Sequence, residues 1–99
     1  MNILPLGSVV VLKKYYDKKE TKLMIVVRNP VLTRENITGY TDYAACVYPV
    51  GVEGDSLYYF NHDHIEEILF TGYVDELEKR YQDLYLKNKG RYKYPKLNF

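Results

Sequence analysis

Three stretches of this chain are apolar on both of their faces. Val9-Val10-Val11-Leu12, Leu23-Met24-Ile25-Val26-Val27 and Ala44-Ala45-Cys46-Val47-Tyr48 run on without alternating polar residues. A strand with one wet face alternates apolar and polar side chains, whereas an unbroken apolar run belongs to a strand covered on both sides. The chain must therefore build a sheet and also supply, or recruit, something to lie over its second face. Turn signals between the runs delimit the strands. Residues 8–16 form the first, a polar Asp-Lys-Lys-Glu-Thr loop follows, and residues 22–28 return as the second. Residues 29–41, with Pro30, Asn36 and Gly39, read as a long loop. Residues 42–50 form the third strand, Gly51 and Gly54 turn the chain, and residues 56–61 and 66–72 form the fourth and fifth.

The period then changes. Val74, Leu77, Tyr81, Leu84 and Asn88 recur at three- and four-residue steps, and polar residues fill the positions between. That spacing predicts an amphipathic helix over residues 74–89. Asp75 and Glu76 in its first turn, and Lys87 and Lys89 in its last, suit the helix dipole, and Gly90 is a stop signal. Residues 91–99 form a basic, Tyr-rich tail, extended or weakly ordered. The predicted architecture is α+β: a small five-stranded antiparallel SH3-like barrel or bent sheet followed by one C-terminal amphipathic helix. Residues 1–90 make a single domain, and 91–99 the tail. A barrel interior hides one face of each strand, and the predicted helical stripe offers about five side chains for the other. Either the strands pack closely or a protein partner covers what remains.

The segment from Asn61 to Glu67, Asn-His-Asp-His-Ile-Glu-Glu, is the one cluster of titratable groups that invites a chemical reading. On a strand, His62 and His64 would point to one side, as metal ligands on β-ribbons do; on a helix they diverge. The chain has 2 His and 1 Cys, so further ligands would have to be carboxylates. The structural reading is a capped corner. Asn61 suits an N-cap at a strand end, Asp63 falls in a first turn, and Ile65, Ile68 and Leu69 follow at inward spacing. This corner reading is preferred, so no cofactor, metal or catalytic residue is assigned. Gly51 and Gly54 lack the following helix and Lys-Ser/Thr pair of a phosphate loop. No nucleophile elbow is present.

Charge narrows the partner classes. The net charge is +1, which argues against a dedicated nucleic-acid or membrane-surface protein. The charge is nevertheless segregated: residues 53–84 carry nine acidic and two basic side chains, and residues 85–99 carry five basic and no acidic ones. Cys46 lies in an apolar run and reads as a small buried hydrophobe. The apolar start is broken by Pro5 and Gly7 and has no basic leader, so it is not expected to be a signal peptide. No stretch approaches the ~20 apolar residues of a membrane span, and a cytoplasmic location is expected. Twelve tyrosines are a heavy load for 99 residues, and tyrosine favours interfaces. Tyr58, Tyr59, Tyr81, Tyr85, Tyr92 and Tyr94 are the candidate partner contacts. Tyr58 and Tyr59 lie on opposite faces of their strand, so at most one lines the interior. The tail admits protein contact, a solvated end, or stacking on single-stranded nucleic acid.

Four blocks, Leu-Pro-Leu-Gly-Ser-Val-Val-Val-Leu-Lys from Leu4, Lys-Leu-Met-Ile-Val-Val-Arg from Lys22, Asp-Tyr-Ala-Ala-Cys-Val-Tyr-Pro-Val-Gly from Asp42 and the segment from Leu57 to Tyr73, resemble in that order a small family of Gram-positive bacterial proteins of unknown function. That family is typically encoded with type VII secretion LXG toxins. The resemblance covers about residues 4–84. Gly7, Ser8, Tyr48, Pro49, Gly51, Phe60, Asn61, His62, Ile65, Gly72 and Tyr73 are the matching positions. Gly7, Asn61, His62 and Gly72 in particular mark the fold rather than a site. The first hairpin is longer and more charged than the family pattern, and the basic tail lies outside it. The resemblance implies a non-enzymatic accessory protein, an adaptor or chaperone-like module for the toxin or its helical targeting partners. A toxin-immunity protein and a small nucleic-acid-binding barrel are the alternatives.

Overall fold

The computed structural model describes residues 3–13 and 21–98. The predicted polar hairpin loop, Tyr15 and Tyr16 lie outside the described residues, apart from Thr21. Along the chain come β1 (Val9–Leu12), β2 (Leu23–Arg28), β3 (Val31–Arg34), β4 (Ile37–Tyr40), β5 (Tyr43–Val47), β6 (Tyr58–Phe60), a 3-10 turn at His62–His64, β7 (Ile65–Phe70) and α1 (Glu76–Asn88). Five strands form one antiparallel sheet in the order β6-β5-β2-β1-β7, and β3 pairs with β4 apart from it. The protein is thus α+β, and the five strands of the large sheet are those read from the sequence.

The connection between the sheet's two edges bends it. Four strand spacings would hold the edges of a flat sheet about 19 Å apart. Only Asn61 and the 3-10 turn join β6 to β7, and a link at about 2 Å rise per residue spans roughly half that distance. Bulges supply the extra twist. Glu66 and Leu69 of β7 are the unpaired residues where its register against β1 shifts, and β2 slips against β5 between Ile25 and Val27. Among the described residues no ladder pairs β6 with β7, so the sheet is bent rather than closed. Its concave side holds Val10, Leu12, Leu23, Ile25, Tyr43 and Phe60, with Ile3 and Leu4 across them.

The predicted loop at 29–41 is instead the β3–β4 hairpin. Arg34 pairs with Ile37, and the two residues between them, Glu35 and Asn36, have φ of 53° and 67°. Two positive φ values make the tight turn whose twist suits paired strands, but Asn-Gly, not Glu-Asn, is its usual signature. The sequence therefore carries only half of the signal. Thr33 and Thr38 share a hydroxyl hydrogen bond across the ladder at 2.8 Å.

Helix α1 also departs from expectation. Asp75 caps it, its carboxylate accepting from the Glu78 N–H at 3.0 Å. The inward face, however, is Glu78, Tyr81, Gln82 and Tyr85, and the predicted stripe residues Leu77 and Leu84 are 70% and 57% exposed. Arg28, at the end of β2, decides this. Its guanidinium donates twice to Glu78, at 2.7 and 3.0 Å, and lies 3.8 Å over the Tyr81 ring. Gln82 donates to the Ile3 carbonyl at 2.6 Å and to Glu78 at 2.7 Å. A buried cation without its anion is far costlier than an exposed leucine, so the polar side wins the inward position.

The tail is extended but docked. The Tyr40 N–H donates to the Pro95 carbonyl at 3.0 Å, the Leu97 N–H donates to the Tyr40 carbonyl at 2.8 Å, and Leu97 is buried. Gly39 permits the approach, because a Cβ there would strike Pro95 and Leu97. At the other end of the chain, Gly7 (φ 86°) completes a turn from Pro5 to Ser8. The Ser8 hydroxyl donates to the Pro5 carbonyl at 2.8 Å and accepts from the Gly72 N–H at 2.9 Å.

Two substitutions test these joints. A Cβ at Gly72 would overlap the Leu6 carbonyl, which is backbone and cannot swing aside. Gly72→Ala is expected to cost about 3 kcal/mol or more, read as a fall in the urea midpoint. Burial alone raises the Glu78 pKa, but the hydrogen bonds from Arg28 and Gln82 outweigh it and leave the carboxyl below 4.5. The pair therefore contributes fully at neutral pH and fades as pH falls through that lowered value. Arg28→Met strands the carboxylate and is expected to cost about 3 kcal/mol at pH 7, and less at pH 4.

Candidate interaction surface

The corner from Asn61 to His64 is a hydrogen-bond junction. The Asn61 carboxamide accepts from the Asp42 N–H at 3.0 Å and donates to the Leu97 carbonyl at 2.6 Å. The predicted N-cap position is right, and this side chain also reaches Asp42, just ahead of β5, and the tail. His64 supplies the local contact, its Nδ1 accepting from the Asn61 N–H at 3.0 Å. Asp42 accepts from the His62 N–H at 2.8 Å and pairs with Lys96 at 3.0 Å. Tyr43 completes the junction. Its hydroxyl accepts from the Leu4 N–H at 2.9 Å, so its own proton points to His62 Nδ1, 2.8 Å away. Both imidazoles thus spend Nδ1 inside the fold. Among the described residues, no group of three or more His, Cys, Asp or Glu is placed to hold a metal ion.

The predicted tyrosines do not gather into one patch. Tyr58 is exposed and Tyr59 half-buried on the edge strand β6. Tyr81 lies under Arg28, and Tyr85 packs against the core. The Tyr92 ring sits 4.5 Å from that of Tyr40, and Tyr94 is partly exposed near Lys93. Burial raises the Tyr85 phenol, and the Tyr92 phenol to which it is hydrogen-bonded is raised likewise.

The larger exposed apolar surface lies elsewhere. Register brings Phe70 of β7, Val9 of β1 and Met24 of β2 into one row across the outer face of the sheet. With Leu69 and Tyr48 they line a groove of about 450 Å³. The turn at Leu6-Gly7 connects it to a second cleft of about 330 Å³, where Leu6, Tyr73 and Leu77 surround the Arg28–Glu78 pair. Phe70, Tyr73 and Leu77 are 61%, 80% and 70% exposed. A run of large apolar side chains in water marks a binding surface more often than a lone exposed leucine does. The two-faced strands signalled that something must cover this side; only the tertiary placement shows which residues wait there. Glu66 and Glu67, exposed on β7, stand beside the groove, and no helix among the described residues is long and apolar enough to cross a membrane.

Fold and surface together define a small α+β domain with an uncovered apolar band on its bent sheet and helix. The chain belongs to the family called Domain of unknown function (DUF4176), whose model matches residues 3–81, the whole sheet and the first half of α1. The docked tail lies beyond that match. No curated protein and no solved structure matches the chain.

The junction makes a pH prediction. Burial first, and then the Asp42 charge, raise the Tyr43 phenol from 10 to about 12 against the opposing effect of the Leu4 N–H. The folded state therefore holds a proton that the unfolded chain releases above pH 10, so stability falls as pH climbs from 10 towards 12. Tyr43→Phe orphans the Leu4 N–H and is expected to cost about 1–3 kcal/mol at pH 7. Its denaturant midpoint is also expected to fall less steeply as pH climbs from 10 towards 12.

Proposed function

We propose that this protein is a non-enzymatic accessory module, an adaptor or chaperone, for a type VII secreted LXG toxin or that toxin's helical targeting partners, acting in the cytoplasm. The observation that carries the reading is the exposed band through Phe70, Tyr73 and Leu77, joined by Leu6 to the groove on the sheet. An apolar surface of this kind stabilises a partner's apolar segment by withdrawing both from water. The toxin as partner is supported by the resemblance of the four sequence blocks. The nucleic-acid reading draws less support, because Tyr92 stacks on Tyr40 and Lys96 pairs with Asp42 within the fold.

A second reading, toxin immunity, is favoured by the acidic run of residues 53–84, which would face a basic active domain. The two separate in one pair of assays. Co-expression with the N-terminal region of the neighbouring toxin is expected to yield a complex that co-purifies. Phe70→Ser combined with Tyr73→Ser is expected to weaken it at least tenfold while leaving the circular-dichroism spectrum intact. Cells expressing the toxin's active domain are expected to gain no protection. A folded chain that never captures the toxin region overturns the adaptor reading, and protection of those cells establishes immunity in its place.

A further inference from the structure

We propose that the groove across β7, β1 and β2 receives an amphipathic α-helix of about ten residues, with basic side chains at the end that lies over Glu66 and Glu67. The proposal rests on the binding-module reading above and names the chemistry of its ligand. Three features of the groove select it.

The first is spacing. Phe70, Val9 and Met24 stand in register on adjacent strands, and Tyr48, opposite Lys22 and one step off that row, lines the far side of the groove. Neighbouring strands lie about 4.8 Å apart, so the groove from β7 out to the Tyr48 side is roughly 15 Å long. One face of an α-helix repeats about every 5.4 Å and rises 1.5 Å per residue. A helix of about ten residues therefore places its i, i+3/i+4 and i+7 side chains between successive members of the row. An extended peptide repeats on one face only every ~6.7 Å and would fall out of step.

The second is the edge. Among the described residues β7 is the last strand of the sheet and offers its outer side to strand addition. It is also bulged twice, at Glu66 and at Leu69, and exposes Glu66 and Glu67. Bulges and charges are the devices that keep another strand from pairing with an edge. The bulge also sets Leu69 beside Val9 and Met24 in the groove wall. This edge is built for side-chain contact rather than for ladder pairing.

The third is charge. On the β7 side, exposed Glu67, opposite Val11, and its neighbour Glu66 lie beside the groove, while exposed Lys22 lines it on the β2 side. A helix lying along the row with its N-terminus over the glutamates complements both ends, since its dipole is positive there and negative near Lys22. A second copy of this chain fits less well. The exposed parts of the five apolar side chains amount to on the order of 400 Å², about half of what each partner of a stable interface buries.

The test uses three synthetic fluorescent peptides of equal length with the full-length protein. The first has leucines at helical spacing and lysines in its first turn, the second carries glutamates in place of the lysines, and the third has the first one's composition arranged with a period of two. Anisotropy is expected to show the first binding at least tenfold tighter than the other two, and weakening as salt is raised. Leu69→Lys is expected to reduce that binding at least tenfold, and Glu66→Lys with Glu67→Lys to reverse the preference between the first and second peptides. Equal or tighter binding of the period-two peptide, binding unaffected by Leu69→Lys, or a dimer in sedimentation that Leu69→Lys dissociates would each overturn the proposal. If the toxin region co-purifies equally with the Leu69→Lys protein, the groove is wrong and the binding-module reading stands. If it co-purifies with neither protein, that reading is lost as well.

Discussion

The bidentate pair between Arg28 and Glu78 sets the arrangement of everything C-terminal to the sheet. Arg28 ends β2, a central strand, where its guanidinium is 10% exposed. A cation in that position needs an anion at hydrogen-bonding distance, and Glu78 is the residue that reaches it. Once Glu78 faces inward, Tyr81, Gln82 and Tyr85 follow on the same side of α1. Leu77 and Leu84 must then face away, although their spacing is that of a buried stripe. The exposed band is a direct consequence: the same ion pair that holds the helix also withholds its leucines from the core.

The junction around Asn61 closes the rest of the fold. One carboxamide ties Asp42, just ahead of β5, to Leu97, and one phenol, that of Tyr43, ties Leu4 to His62. Segments near both ends of the chain are thereby fastened to the turn that joins the two edges of the sheet. The histidine pair that looked like a ligand set is used for geometry. His62 accepts a hydrogen bond from the Tyr43 hydroxyl, and His64 accepts one from the Asn61 N–H.

The five strands of the large sheet were legible because β-branched runs and glycine turns are local signals. So were the corner at 61–64 and the span of the helix. The β3–β4 hairpin was not, because its turn uses Glu35 and Asn36 at positions where glycine would have been the signal. The docking of the tail was not legible either, since it depends on Gly39, Asn61 and Asp42, all distant from it in sequence. Among the candidate contact residues, the tyrosines were chosen by composition, whereas Phe70, Leu69, Met24 and Leu77 emerge from position. Tyr58 is exposed, as its place on a strand face allowed, but it stands on β6, at the opposite edge of the sheet from β7.

By itself the sequence determined the class of the fold, the order of its main strands, and the fact that both faces of the sheet seek cover. These follow from side-chain periodicity and backbone preference, which act over a few residues. Only the tertiary structure decided which face of α1 turns inward, where the tail lies, and which apolar side chains are left in water. Those outcomes rest on satisfying buried polar groups across long separations, such as Arg28 with Glu78 and Asn61 with Leu97. The energy of leaving such a group unpaired exceeds that of exposing a leucine, so the polar demands were met first and the apolar band is what they left uncovered.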